Sequence, residues 1–181
     1  MSIETTEELR ALVADGVRLK YLHFWGHTGE GIGPHVLSQW YPATFELEGV
    51  TYPTAEHWMM AEKARLFQDR AALKAILDAE HPGEAKRIGR EVRGFDREVW
   101  ELARVEVVVG GSLAKFGQNP ELQDYLLSTG DKVLVEASPV DEIWGIGWPA
   151  DAPEAHDPAK WRGDNLLGFA LMRARHQLAQ R

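Results

Sequence analysis

Between Ala55 and Phe67 the chain contains neither glycine nor proline, and most of its residues are good helix formers. Pro53 fixes the approach to this segment, and Thr54 is placed to accept a hydrogen bond from an orphan amide of the first turn. At about 100° per residue, Glu56, Met60, Lys63 and Phe67 fall in one narrow sector with Met59 beside them. His57, Ala61 and Ala64 form the neighbouring stripe, while Glu62 and Arg65 point elsewhere. The apolar face of the helix therefore carries a carboxylate in its first turn and an ammonium two turns later. A charge buried without a partner is costly. Either the two heads are paired or reach water at a rim, or they look into a pocket where neighbours tune a carboxylate for acid–base work. Glu56 also lies at the positive end of the helix dipole, which favours its ionised form. That suits a base, a nucleophile or a ribose-hydroxyl acceptor better than a general acid.

Upstream, Phe45, Leu47 and Val50 are interrupted by polar residues, and Glu48-Gly49 supplies a turn between two short strands. The whole sequence has 181 residues and 44% hydrophobic content, enough for one domain with a real core. No apolar run approaches the ~20 residues of a membrane span, and the polar, acidic Met1–Arg10 segment does not read as a signal or transit peptide. There is no cysteine, which excludes disulfides, thiol nucleophiles and thiolate metal sites and fits a cytoplasmic location. A net charge of −8 argues against nonspecific binding to duplex DNA, which depends on phosphate neutralisation. It leaves room for reading one modified nucleotide. Four of the seven tryptophans, Trp25, Trp40, Trp58 and Trp144, lie in the stretches singled out here and suggest an aromatic-lined cleft, although packing is the usual task of any single tryptophan.

Taken in order, Thr5 or Thr6 can cap a short helix ending near Gly16, so residues 1–16 read as a helical N-terminal extension. Val17 to Trp25 alternates as a strand, which puts Lys20 on one face with Leu22 and Phe24. If that face is covered, the Lys20 amine is easier to deprotonate, as an imine-forming lysine requires; otherwise Lys20 snorkels to water at an edge. His23 and His27 do not converge on a metal in a strand-to-loop setting, and no metal or cofactor is expected. Gly26 to Pro34 is a glycine-rich loop without the lysine of a P-loop. Asp69 can cap a helix to Glu80 with Leu73, Ile76 and Leu77 inward, and Pro82 can open another to about Val92. Lys86 and Arg90, one turn apart, are placed to grip a phosphate, although the acidic residues interleaved around them also fit a solvated face. A long helix follows from about Arg97 to Phe116, with Trp100, Ala103, Val107, Gly110 and Ala114 on one stripe; it either holds through Val107–Gly111 by tertiary packing or breaks there. Another helix follows from Asn119-Pro120 to Gly130. Lys132 to Glu136 reads as a strand, and Asp141, Glu142 and Trp144 sit among turn residues, with Gly145 and Gly147 allowing a ligand close to backbone. Trp148 to Gly163, with its three prolines, reads as a loop or lid. Asp164 or Asn165 caps the last helix. Helices prevail over a few short strands, giving a mainly α-helical α+β fold in a single domain, 1–181.

Phe24-Trp25-Gly26-His27, the 37–67 stretch, Leu113-Ala114-Lys115-Phe116, Glu136 to Gly147 and Asn165-Leu166-Leu167-Gly168 occur in the order of the NADAR family. The chain resembles that family over residues 20–178. The resemblance implies the family's fold and cleavage of N-glycosidic bonds in ADP-ribose-like or phosphoribosyl compounds. One branch acts on phosphoribosylamino-pyrimidine intermediates of riboflavin biosynthesis. Another removes ADP-ribose from guanine in nucleic acid, reversing a toxin's modification, through a lysine Schiff base. This chain has Leu37-Ser38-Gln39-Trp40 where riboflavin-type members carry Phe-Ser-Asn-Phe, and those members lack the Lys20-to-His27 pattern, so the resemblance favours the guanine branch and a functional link to an ADP-ribosylating toxin. It implies Glu56 as the main carboxylate, Asp141 as a second, and Lys20 ahead of Lys63 as the imine former. Trp25, Gly26, His27, Ser38, Trp58, Trp144, Gly145 and Gly147 are the implied substrate contacts, with Lys63 and Arg90 on the phosphate side. The rival expectations are a non-catalytic ADP-ribose or NAD reader and a structural subunit whose tryptophans pack a partner.

Overall fold

Glu48 and Gly49 both take positive φ, 53° and 76°. This mirror-image turn matches the twist of a hairpin, and it sets Phe45–Leu47 (β2) antiparallel to Val50–Tyr52 (β3) with Leu47 opposite Val50. The computed structural model describes residues 3–181. Among them are seven α-helices and four short strands, the mainly helical α+β content expected from the sequence. The chain forms two compact units, Gln39–Pro120 and the pair of segments Met1–Ser38 and Glu121–Arg181. No helix of the described residues is long and apolar enough to cross a membrane.

The Gln39–Pro120 unit is built on Ala55–Leu66 (α2). Helices Arg70–Asp78 (α3), Pro82–Arg90 (α4) and Arg97–Gln118 (α5) all pack on it. Every residue from Ala55 to Ala61 is buried. The expected single apolar face is thus covered all round in its first two turns, as befits a helix enclosed by others. Helix α5 runs unbroken through Val107–Gly111. There Trp58 lies against the backbone of Gly111, where a Cβ would be 2.3 Å from its ring, and donates its indole N–H to Val107 O at 2.8 Å. The buried stripe of α5 includes Val108, Gly111, Ser112 and Lys115, not Val107 and Gly110, because α2 approaches from that side. In α3 only Ile76 is fully buried, and Leu77 is exposed, a departure from the inward face expected.

In the other unit, Thr5 caps Thr6–Ala14 (α1). Tyr21–Phe24 (β1) pairs in parallel with Val133–Glu136 (β4), from Tyr21 opposite Val133 to Phe24 opposite Glu136. The strand expected over Val17–Trp25 shrinks to four residues because its partner has four. Pro120–Ser128 (α6) and Leu166–Leu178 (α7) complete the unit. Asn165 stands at the capping position of α7 but does not cap it. Its φ is 54°, its Oδ1 accepts from Glu136 N at 2.9 Å, and its Nδ2 donates to Leu134 O at 2.9 Å. The amide satisfies β4 instead. The Trp148–Gly163 segment is anchored rather than a lid, since Ala155 and Trp161 lie in the core with Val133, Val135 and Phe169.

Gly168 holds α7 against β4. A Cβ there would stand 2.0 Å from Leu134 O, a backbone atom. Gly168→Ala is therefore expected to destabilise the protein by roughly 2–4 kcal/mol, read as a lower denaturation midpoint at unchanged slope. A loss below about 0.5 kcal/mol would contradict this account of the α7–β4 contact.

Candidate functional site

Thr54 opens α2 and organises its first turn. Its hydroxyl oxygen accepts from His57 N at 3.3 Å and lies 2.7 Å from His57 Nδ1, while His57 Nε2 lies 3.1 Å from Ala79 O. The carbonyl can only accept, so Nε2 carries the proton and Nδ1 accepts from the Thr54 hydroxyl. Burial holds the His57 pKa below its ordinary value. His57 is thus a neutral strut, which leaves Glu56, its neighbour, as the ionisable group of the turn.

Glu56 is 3% exposed. Its backbone N–H donates to Gln39 O at 3.0 Å, so the segment Gln39-Trp40-Tyr41 crosses the start of α2. The same segment reaches α5. The Tyr41 ring lies 5.7 Å from Lys115 Nζ, and the Phe116 ring lies 5.0 Å from it. Gln118 fixes that end of α5 by pairing its amide with the Glu46 backbone, accepting from Glu46 N at 2.8 Å and donating to Glu46 O at 2.7 Å. Gln39 and Tyr41 are two residues apart, at most about 7 Å between Cα atoms. The backbone of the buried Glu56 and the buried amine of Lys115 thus meet one short strap.

Lys115 is 1% exposed, and desolvation pushes its pKa down to about 7. A substantial fraction of its amine is therefore neutral and nucleophilic at neutral pH, as imine formation demands. Sequence reasoning passed over Lys115, although it lies within one of the quoted motifs. A lysine near a helix C-terminus ordinarily complements the dipole in solvent; the signal to the contrary is its place one turn after Gly111, on the face that takes Trp58.

Lys63 is half-buried farther along α2, its Nζ 4.3 Å from the Phe95 ring centroid and 5.9 Å from that of Trp100. Burial and, secondarily, Arg90 lower its pKa. Arg90 is exposed at the end of α4. Of the sequence-predicted residues, Glu56, Trp58, Lys63 and Arg90 thus share the Gln39–Pro120 unit.

The remainder belong to the other unit. Trp25 and Gly26 follow β1 as Ala137 and Ser138 follow β4, with Ala137 N donating to Phe24 O at 2.8 Å. Trp25 is 57% exposed, and His27 and Ser38 are half-buried. Glu136, buried at 9% exposure, ends β4 at the same edge and was not among the residues singled out from the sequence. Asp141 spends Oδ1 on its own turn, accepting from Ile143 N at 2.9 Å and Trp144 N at 2.8 Å. A Cβ on Gly145 would come within 2.9 Å of both Asp141 O and Glu136 O, so this glycine admits the chain's own backbone rather than a ligand. At Gly147 the space is taken by Arg162, 2.9 Å from such a Cβ. Trp144 is half-buried in the same turn. Lys20 is exposed and precedes β1, at the opposite end of the parallel pair from Trp25 and Glu136; its carbonyl accepts from Val133 N at 2.8 Å. The structure does not bring Lys20 beside Asp141, and it does not cover Lys20 as an amine nucleophile would need. Among the described residues, no three histidine or acidic side chains are grouped to hold a metal ion.

A family model described as the NADAR domain matches residues 23–179. An N-glycosidase of Acanthamoeba polyphaga mimivirus is 42% identical over 166 residues, which cover 89% of this chain and 98% of that protein. N-glycosidase YbiA of Escherichia coli is 34% identical over 134 residues, covering 74% of this chain and 75% of its own. A riboflavin biosynthesis protein of Vibrio vulnificus is 35% identical over 144 residues, which are 80% of this chain but 35% of that protein. The NMR structure of YbiA superposes with a TM-score of 0.73 at 30% identity, covering 91% of this chain and 88% of that one.

Proposed function

Because this chain belongs to the NADAR family, we propose that it is an N-glycosidase whose substrate is ADP-ribose joined to guanine in nucleic acid, cleaved through an imine on Lys115 with assistance from Glu56. The observation that supports this reading is a buried acidic residue and a fully buried amine of pKa about 7 that share the Gln39–Tyr41 strap, Glu56 through its backbone N–H and Lys115 through the Tyr41 ring. The Lys115 Nζ lone pair attacks the anomeric carbon, the C–N bond to guanine breaks, and its electron pair leaves with the base, which takes up a proton from water. The Glu56 carboxylate stabilises the positive charge that grows on the sugar carbon and accepts the proton shed by the attacking amine. The nitrogen lone pair then expels the ring oxygen, which takes the proton held on Glu56, and leaves the protonated imine; water adds to its carbon and loses a proton to Glu56, the C–N bond breaks to return the amine, and the open sugar closes to free ADP-ribose.

The riboflavin biosynthesis relative favours a second reading, cleavage of a phosphoribosylamino-pyrimidine. Against it stands Leu37-Ser38-Gln39-Trp40 at the strap. The discriminating measurement is a side-by-side assay of the two substrates, an oligonucleotide carrying ADP-ribosylated guanine and the free pyrimidine intermediate. The proposal expects release of free ADP-ribose and unmodified guanine, with kcat/KM at least about 100-fold higher than for the pyrimidine, a discrimination worth about 2.7 kcal/mol. The reverse preference moves the chain to the riboflavin branch. Tight binding of ADP-ribose without cleavage of either compound reduces it to a reader.

A further inference from the structure

Ser112 is 1% exposed on α5, and its Oγ has no hydrogen-bond partner among the described residues. A serine inside a helix ordinarily points to solvent or donates to the carbonyl four residues back, here Val108 O. This one does neither. A buried hydroxyl left without a bond destabilises the folded chain, whereas alanine, the best helix former, would fill the same place with no polar group to satisfy. Packing therefore does not account for a serine at this position. Its surroundings point to the amine named above as the nucleophile. Lys115 follows Ser112 by three residues and is buried on the same side of α5. Residues so spaced have Cβ atoms about 5–6 Å apart, and a long helical side chain leans back over the turn before it. The Lys115 stem thus runs over the turn that holds Gly111 and Ser112, and Gly111 is where Trp58 closes on the α5 backbone. Around Lys115 Nζ stand the rings of Tyr41, at 5.7 Å, and Phe116, at 5.0 Å. Ring faces attract a positive nitrogen but give it no lone pair of the kind an N–H needs. The Ser112 oxygen has two.

We infer that the Ser112 hydroxyl accepts a hydrogen bond from the nitrogen of Lys115 once that nitrogen is joined to the sugar. The inference deepens the reading given above and rests on it for the imine. In the protonated imine the nitrogen keeps a single N–H, carries positive charge, and is held planar by the double bond to the sugar carbon. An oxygen lone pair facing that N–H makes a charge-assisted bond, while Ser112 turns its own proton to Val108 O. No bond to carbon forms or breaks at Ser112, so the proton transfers through Glu56 are unchanged. The hydroxyl is unbonded in the free protein and bonded in the intermediate. A contact made only after binding raises kcat rather than affinity.

The test is Ser112→Ala in the full chain, with an oligonucleotide carrying ADP-ribosylated guanine as substrate and borohydride as the trap. Removing a buried, unbonded hydroxyl is expected to raise the thermal midpoint of the free protein by about 2–4 °C. The Lys115 13Cε resonance should titrate as in the unchanged protein, because the hydroxyl does not bond the free amine. With substrate, kcat is expected to fall about 10–100-fold while KM stays within about threefold, the mark of an interaction absent from the bound ground state. The yield of adduct trapped on Lys115 should fall with it. A serine that only packs gives a different pattern, either a lower midpoint with activity lost in step or an intact kcat, and each of these overturns the inference. An adduct on Lys115 at full yield in Ser112→Ala refutes the part given to Ser112 and leaves the imine standing. Cleavage with no adduct on Lys115 in the unchanged protein refutes the imine reading itself.

Discussion

Glu56→Gln is expected to lower kcat/KM for N-glycoside cleavage by at least about 10³-fold, or about 4 kcal/mol of transition-state stabilisation. The substitution keeps the shape of a side chain that is 3% exposed, and the bond from its backbone N–H to Gln39 O does not depend on the carboxylate. The folded structure should therefore persist, checked by an unchanged circular dichroism spectrum and thermal midpoint. What the amide cannot do is carry negative charge opposite the sugar carbon or accept the amine's proton. Binding of free ADP-ribose should change far less than turnover, because the effect belongs to the transition state. A folded variant that keeps more than about a tenth of the activity, against the ~10³-fold loss expected, would remove Glu56 from the reaction.

Lys115→Met should abolish both turnover and covalent trapping by borohydride in the presence of substrate, while Lys20→Ala should leave the trapped adduct in place. An adduct that survives Lys115→Met places the nucleophile elsewhere. Methionine fills the same space among Tyr41 and Phe116 without a charge, so the fold is expected to hold. The pH behaviour gives an independent reading. With a folded pKa of about 7 against an ordinary value of 10.5, both states of the chain carry the proton below about pH 7, and burial of the ammonium costs stability in full. Between about 7 and 10.5 the unfolded chain binds a proton that the folded chain does not, so the contribution of Lys115 to stability rises with pH across that window. The total change is at most roughly 5 kcal/mol. Lys115→Met should therefore stabilise the protein at pH 6 more than at pH 10, and flatten the pH slope between. Turnover in the unchanged protein should climb through pH 7 as the amine loses its proton. A stability difference independent of pH would show that Lys115 keeps its ordinary pKa.

Local signals in the sequence proved dependable wherever the physics acts within one turn. Thr5, Thr54 and Asp69 each accept a first-turn amide as capping residues. Pro82 opens α4 and Glu48-Gly49 closes the β2–β3 hairpin. Such contacts involve residues three or four apart, so the residues printed side by side contain the answer. The meeting of Glu56 and Lys115 at one strap was only half legible. The wheel put Glu56 on the inward face, but the inward face of α5 depended on where α2 packed, and that shift turned Lys115 inward and left Leu102 87% exposed.

What the sequence determined alone is thus the set of α-helices, the turn between β2 and β3, and the place of an acidic residue in the first turn of α2. Only the tertiary structure decided that β1 pairs in parallel with β4, that Asn165 serves β4 rather than α7, and that Lys115 rather than Lys20 is the covered amine. A hydrogen-bonded cap is fixed by chain geometry over a few residues. Desolvation of an amine is set by everything that surrounds it, and here those surroundings come from Tyr41, Phe116 and the helices packed about α2, which no short window of sequence brings together.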